Sequence, residues 1–315
     1  MPSITEEMRV REKMCIYAQK YGVTKAARRY QTNRRFIYRQ LAKYDGTKQS
    51  LAFQSRKPHR HPNQHQEKEL ILLRKMYRRF GFEGHAEVYA QTLKRGYERS
   101  FGGMKRVIRD LTKPAPPKKR TWKRNNQGPK QTKSFPGELV QVDIKYVPKE
   151  CILWKSHQKS YYQITAIDTF SSKRILQIVD EKSMTNTVRF IQTLEEKMAC
   201  KIHAIQTDNG AEFTKVTPGA TGLTSFEQVL FDKGITYLKT RPYSPWQNGI
   251  VERSHRIDGE RFYHRQKFRS LEELIRKNQR YQNRYNNIAK QKHHFQSPNQ
   301  VMKAYFQQLH SNMVS

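Results

Sequence analysis

Leu139-Val140-Gln141-Val142-Asp143-Ile144 is the stretch on which the reading of the fold turns. It is an apolar strand with a carboxylate set into it, where a charge is costly unless a partner or a metal ion faces it. Beyond it, the pattern predicts strands over 161–167 and 174–179 and an amphipathic helix over 184–198, whose apolar side carries Val188, Ile191, Leu194 and Met198. A strand over 202–206, a helix over 224–233, a strand over 235–238 and two longer helices over 246–265 and 271–287 complete the series. Three strands, helix, strand, helix, strand, helix is the order of a ribonuclease-H-like α/β domain. It is placed at 136–290, with a C-terminal helical extension and a tail over 291–315.

Upstream the chain changes character. Pro114, Pro116, Pro117, Gly128, Pro129 and the run Lys118-Lys119-Arg120 cannot build a core, so 113–135 reads as a basic, exposed linker. Trp122 within it reads as packed on a neighbour. Residues 60–112 form a trihelical pattern. Leu70, Ile71, Leu73, Met76 and Tyr77 mark the first helix, Ala86, Tyr89 and Leu93 the second, and Met104, Val107, Ile108 and Leu111 the third, capped by Ser100. Residues 1–48 share the plan: a helix with Met8, Cys15, Ile16 and Ala18 inward, a stop at Gly22, a short helix from Thr24, and a helix capped by Thr32 with Phe36, Ile37 and Leu41 inward. Helix, tight turn and capped helix is the helix-turn-helix plan, so the whole reads as multidomain, N-terminal all-α units before an α/β domain. Arg34, Arg35, Tyr38 and Arg39 on one unit, and Lys105, Arg106 and Arg109 on the other, are the expected DNA contacts.

Charge agrees. The chain has 61 Lys+Arg against 27 Asp+Glu, a formal net charge of +34. Residues 1–133 hold 34 basic and 10 acidic side chains, and the remaining 182 hold 27 and 17, so the front is the more basic part. Such a field favours a polyanion, because each neutralised phosphate releases a condensed counterion. Cys15, Cys151 and Cys200 are too few and too scattered for a disulfide framework or a thiolate zinc site. His59, His61 and His65 have no cysteine or carboxylate at metal spacing and read as linker. No apolar segment reaches membrane-spanning length, and the opening residues lack an apolar signal core, so a soluble, cytoplasmic protein without membrane contact is expected.

Three acids are candidates for chemistry. Asp208 ends a strand and precedes Asn209-Gly210, residues of a tight turn. Adjacent parallel strands would put it beside Asp143. Ser244 as N-cap, Pro245 as first helical residue and Gln247 at the third position form a capping-box pattern, which sets Glu252 about two turns into a helix. Three acids from two strands and a helix make an oxygen-ligand site for two Mg²⁺ or Mn²⁺ ions, suited to in-line phosphodiester displacement. Each acid alone has an ordinary structural reading as strand-end cap, turn aspartate or surface glutamate. Asp168, Asp180 and Glu212 read as structural.

The flanking residues carry a family resemblance. Pro136-Gly137-Glu138-Leu139-Val140-Gln141-Val142-Asp143 resembles the first-strand motif of bacterial insertion-sequence DDE transposases with a retroviral-integrase-like core. Thr207-Asp208-Asn209-Gly210-Ala211-Glu212-Phe213 resembles their second motif, and Arg241-Pro242-Tyr243-Ser244-Pro245-Trp246-Gln247-Asn248-Gly249-Ile250-Val251-Glu252-Arg253 their third. The resemblance implies that Asp143, Asp208 and Glu252 are the metal-binding catalytic triad. It implies cleavage at transposon ends and joining of the 3′-hydroxyl to a target strand, with double-stranded DNA (terminal inverted repeats and target) and a homo-oligomer, dimer or higher, as partners. The sequence departs from the family pattern at two points. Asp208 and Glu252 are 44 positions apart, further than family members commonly place them, which the loop from Thr214 to Ser225 with Pro218, Gly219 and Gly222 would absorb. Gly259 also stands where many relatives have a basic residue, leaving Arg256 as the DNA contact on that face. Lys145, on the strand side of Asp143, would hold a phosphate or form a salt bridge; Trp246, Gln247 and Asn248 would touch terminal bases, with core packing the alternative for Trp246, and Arg253 would touch DNA. Arg276, Lys277, Arg280, Tyr281 and Arg284 face DNA or another subunit. The alternatives are a DNA-binding regulator without chemistry and a structure-selective nuclease of the same fold.

Overall fold

The computed structural model describes residues 5–53, 61, 63–112, 133–154, 159–214, 222–241 and 245–314. His59, Trp122 and nearly all of the 113–135 linker lie outside them, as does the insert at Pro218 and Gly219. The chain divides into two compact units, Met1–His65 and Gln66–Ser315.

The first unit packs α1 (Glu6–Tyr21), α2 (Val23–Arg29) and α3 (Arg34–Leu41) around Met14, Ala18, Ala26 and Ile37. Gly22 ends α1 at φ +89°, a conformation only glycine adopts freely. The cap of α3 is Asn33 and not Thr32: its side-chain oxygen accepts from Phe36 N at 2.7 Å, and the expected helix start moves by one residue. Ile16 is exposed and Met14 takes the inward place assigned to it, a one-sided error of helical phase. Arg34, Arg35, Tyr38 and Arg39 are all exposed on α3.

The second unit opens with α4 (Glu67–Phe80), α5 (His85–Leu93) and α6 (Phe101–Thr112), whose core is Leu73, Met76, Val88, Tyr97, Met104 and Ile108. Ser100 Oγ accepts from Gly103 N at the start of α6, as its cap position requires. The expected inward face of α5 is rotated: Leu93 is exposed, whereas Glu87 and Val88 are buried. Glu87 is buried because its carboxylate accepts from Ala289 N at 2.7 Å, a partner two hundred positions away that no local pattern reveals. Tyr89 and Phe101 meet Phe295 with ring centres 4.6 and 4.9 Å apart.

The rest of the unit is a mixed sheet with helices on both faces: β1 (Val140–Tyr146), β2 (Tyr162–Asp168), β3 (Arg174–Val179), α7 (Met184–Gln192), α8 (Leu194–Met198), β4 (Ala204–Thr207), α9 (Ser225–Asp232), β5 (Thr236–Lys239), α10 (Gly249–Arg261), α11 (Leu271–Asn287) and α12 (Pro298–Val314). The strand order is β3-β2-β1-β4-β5, with β1–β2 and β2–β3 antiparallel and β1–β4 and β4–β5 parallel. The expected helix over 184–198 breaks at Thr193 into α7 and α8. A third long helix, α12, occupies the expected tail; Ser297 and Gln300 exchange side-chain-to-backbone hydrogen bonds at its start.

Alternation along β1 sends Val140, Val142 and Ile144 to one face, where they meet Phe190, Ile191, Phe213, Phe226 and Leu230. Gln141, Asp143 and Lys145 therefore face the other way, toward α10. Gly137 just before β1 sits at φ +79°, and a Cβ there would lie 2.0 Å from Lys201 O, so the approach to the strand admits only glycine.

β3 is an edge strand, and α11 covers its free edge with amides. Gln282 Oε1 accepts from Leu176 N at 2.6 Å, and Asn286 both accepts from Arg174 N at 3.0 Å and donates to Arg174 O at 2.9 Å. Spaced one helical turn apart, they stand in for a sixth strand and close the edge to intermolecular pairing. Asn286→Ala is expected to cost about 1–3 kcal/mol in urea unfolding, since it leaves two buried backbone groups unpaired.

Candidate active site

Asp143 lies inside β1 and Asp208 one residue past the end of β4. The parallel register Gln141↔Gln206 carries on to set position 143 level with position 208, as the order of elements requires. Asp143 Oδ1 accepts from Ile144 N at 2.8 Å, and Asp208 Oδ1 from Gly210 N at 3.2 Å. A side chain at position 210 would meet the Glu212 carboxylate at 2.5 Å, so the turn after Asp208 needs a glycine.

Glu252 is in the first turn of α10, not two turns in. Pro245–Asn248 forms a separate 3-10 turn, and α10 begins only at Gly249. Gln247 does not close the expected capping box, because its Oε1 accepts from Arg241 N at 2.8 Å. Pro242, Tyr243, Ser244 and the side chain of Trp246 lie outside the described residues.

The start of α10 is instead held by Gln141, which sequence reasoning passed over. This side chain is 4 % exposed. Its Oε1 accepts from Ile250 N and Val251 N at 3.2 and 3.3 Å, and its Nε2 donates to Gln247 O at 2.6 Å and Gln206 Oε1 at 3.1 Å. One amide thus ties β1, β4 and α10 together, the three elements that carry the three acids. Gln141→Leu keeps the volume and removes all four bonds. If the three acids are the metal-binding triad that the resemblance implies, single-turnover strand joining by that variant falls by about 10–100-fold, the usual effect of losing a group that orients ligands.

The acids share one electrostatic neighbourhood. Partial burial, then the Asp143 carboxylate, push the Asp208 carboxyl above its usual range. Glu252 is raised in the same way, by desolvation first and then by Asp143, with Asp208 adding to it. Among the described residues, however, no three His, Cys, Asp or Glu side chains close on one point at ligating distance. Like charges repel, and His255 Nδ1 stands 3.3 Å from Asp143 Oδ2.

His255 is the second residue missed. It follows Glu252 by three positions and so shares its helix face, which was a usable signal. Its Nε2 is buried without a hydrogen-bond partner, as is Asn248 Oδ1. Lys145 turns inward: its Nζ donates to His255 O at 2.9 Å and lies 4.9 Å from the Tyr263 ring centre. Arg253 and Arg256 are exposed on α10, and Lys105, Arg106 and Arg109 on α6. Lys182 Nζ pairs with the buried Glu212 at 2.9 Å beside Asp208. Asp168 is a turn cap, accepting from Gly137 N, Ser171 N and Ser171 Oγ; Asp180 pairs with Lys159.

An integrase core domain model matches residues 134–245, and a second integrase core domain model matches residues 233–294. Together they span just over half of the chain, which belongs to the integrase-core family of integrase- and transposase-like DDE proteins. It is 32% identical over 126 residues to a candidate integrase, ORF3, of Spiroplasma virus SpV1-C74, a match covering 37% of this chain and 34% of that protein. The chain thus spans about a third of that relative's length. Among solved structures it is similar to a chain of the simian T-cell lymphotropic virus intasome in complex with PP2A regulatory subunit B56 gamma, at 16% identity and a TM-score of 0.44, covering 72% of this chain and 74% of that one. The HTLV-2 integrase catalytic core domain in complex with magnesium matches at 16% identity and a TM-score of 0.39, covering 53% of this chain and 97% of that one.

The donor set fits a hard divalent cation. Its three acids offer only carboxylate oxygens, Asp208 is raised by burial and by Asp143, Glu252 by burial, Asp143 and Asp208, and the buried Nε2 of His255, whose other ring nitrogen faces Asp143, lacks a partner.

Proposed function

We propose that the chain is the DDE transposase of an insertion sequence, binding terminal inverted repeats and joining their 3′ ends to target DNA. The observation that supports this best is the placing of Asp143 and Asp208 level on neighbouring parallel strands, with Glu252 at the start of α10 near enough to feel both of their charges. These three carboxylates would hold two Mg²⁺ or Mn²⁺ ions. Bound there, divalent cations supply activation of the attacking oxygen and charge stabilisation of the leaving one. Gln141 fixes the spacing of the three elements, and Lys145 holds α10 to β1. Arg253 and Arg256 project from α10 into solvent, where phosphates of the reacting strand could reach them.

The basic faces of α3 and α6 are the proposed readers of the terminal repeats, each unit acting as a helix-turn-helix module, and two copies or more would hold the two element ends. The test is incubation of the full chain with labelled element ends, target plasmid and Mg²⁺. Joined product is the expected result. Cutting without joining would favour a nuclease of the same fold, and repeat binding with neither reaction a regulator.

A further inference from the structure

A cavity of about 240 Å³ lies between the turn after α4, the C-terminal half of α10, and α11. Its walls carry five cationic side chains, Arg261, Lys277, Arg280, Arg284 and Lys290, against a single carboxylate, Glu83. Glu83 is already engaged: Arg284 pairs with it, and Arg261 donates to its backbone oxygen at 3.1 Å. Lys277 is held by Glu273 at 2.8 Å. Lys290 rests on the Tyr285 ring, 3.6 Å from its centre. Burial, and then the charges of Arg174 and Arg261, lower Lys290 to about 7. Arginines do not release their protons at neutral pH, so the excess positive charge stays in the cavity. Clustered cations in a partly enclosed, ring-walled space are unfavourable to the fold until an anion joins them.

The cavity is not the carboxylate site seen from another side. Arg261 follows Glu252 by nine residues on α10, about two and a half helical turns, which sets the two on opposite faces and about 13 Å apart along the axis. An anion here is therefore not the reacting phosphodiester.

We propose that this cavity is a binding site for a phosphate group, separate from the three acids. The group is carried by a DNA backbone or by a free phosphate compound, and Arg280 and Lys290 are its principal partners. Arg280 is exposed on α11. Arg276, also exposed on α11 but outside the cavity, is the control for general surface charge.

The experiment uses the full chain in chelator, so its outcome does not depend on whether the carboxylate site joins strands. Thermal unfolding is followed with and without pyrophosphate, and binding of a fluorescent duplex is followed across a salt series, for wild type, Arg280→Gln and Arg276→Gln. Arg280→Gln is expected to weaken the anion at least about 5-fold and to lower the salt slope for DNA by about one, with Arg276→Gln affecting it less. A selective effect on pyrophosphate stabilisation alone assigns a free phosphate compound, and one on DNA alone assigns the backbone. Equal effects of the two substitutions on both probes, or none, would overturn the site.

Discussion

Asp208→Asn is expected to reduce strand joining by at least about 10³-fold, since on the proposed reading the three acids act as one unit, while binding to a terminal-repeat duplex stays within a few-fold of wild type. The same substitution is expected to stabilise the metal-free protein. The Asp208 carboxyl is raised in the fold by burial and by Asp143. A carboxyl raised on folding destabilises the folded state while it is charged, that is, above its folded pKa, and the penalty disappears as pH falls through that value. A neutral isostere removes the penalty at neutral pH, for a gain of about 1–4 °C in melting temperature. Loss of activity with a higher melting temperature separates a functional carboxylate from a structural one, whose loss would lower both. Differential scanning calorimetry in chelator, beside a joining assay, decides between them.

Asp258→Ala is expected to cost about 3–5 kcal/mol in equilibrium urea unfolding, because removing one partner leaves a buried charge unpaired. Arg174 and Asp258 are both fully buried and pair at 2.6 Å. Around them Arg174 donates to Ser254 Oγ at 2.8 Å, and Gln163 donates to Asp258 Oδ2 at 2.9 Å while accepting from Tyr263 at 2.5 Å and from Asn278 at 3.2 Å. Arg174 also lies 3.6 Å from the Tyr285 ring centre. This polar knot joins β2, β3, α10 and α11, on the face opposite the apolar core, and Ser254 stands two residues from Glu252 on α10. The double replacement Arg174→Met with Asp258→Leu is expected to cost much less than the single one, because it removes both charges together. A single-variant loss under about 1 kcal/mol would show that the pair contributes little to holding α10 on the sheet.

What the sequence revealed and what it withheld follow from range. The strands were legible because apolar runs such as 140–144, 162–167 and 174–179 are bounded by turns, a local property. Asp143, Asp208 and Glu252 could be singled out as candidates because each sits in a motif on one element. Glu252 came out at the wrong depth in its helix because a 3-10 turn followed by an α-helix has nearly the residue pattern of a single longer helix. Gln141 was invisible as a clamp, since its partners lie up to 110 positions away. The buried pair was equally hidden: Arg174 reads as a strand-start cation and Asp258 as a polar helix position until the fold brings them together. The helix α12 was withheld because its residues carry no strong apolar period, although Ser297-Pro298-Asn299-Gln300 held a start signal.

On the proposed reading, Asp143, Asp208 and Glu252 bind divalent cations as one site. Titration of Mn²⁺ into the full chain, followed by electron paramagnetic resonance, tests it without requiring DNA or turnover. Wild type is expected to bind saturably, with affinity at least about 10-fold weaker in each of Asp143→Asn, Asp208→Asn and Glu252→Gln. Binding that survives any one of these substitutions at wild-type strength would rule out a shared site.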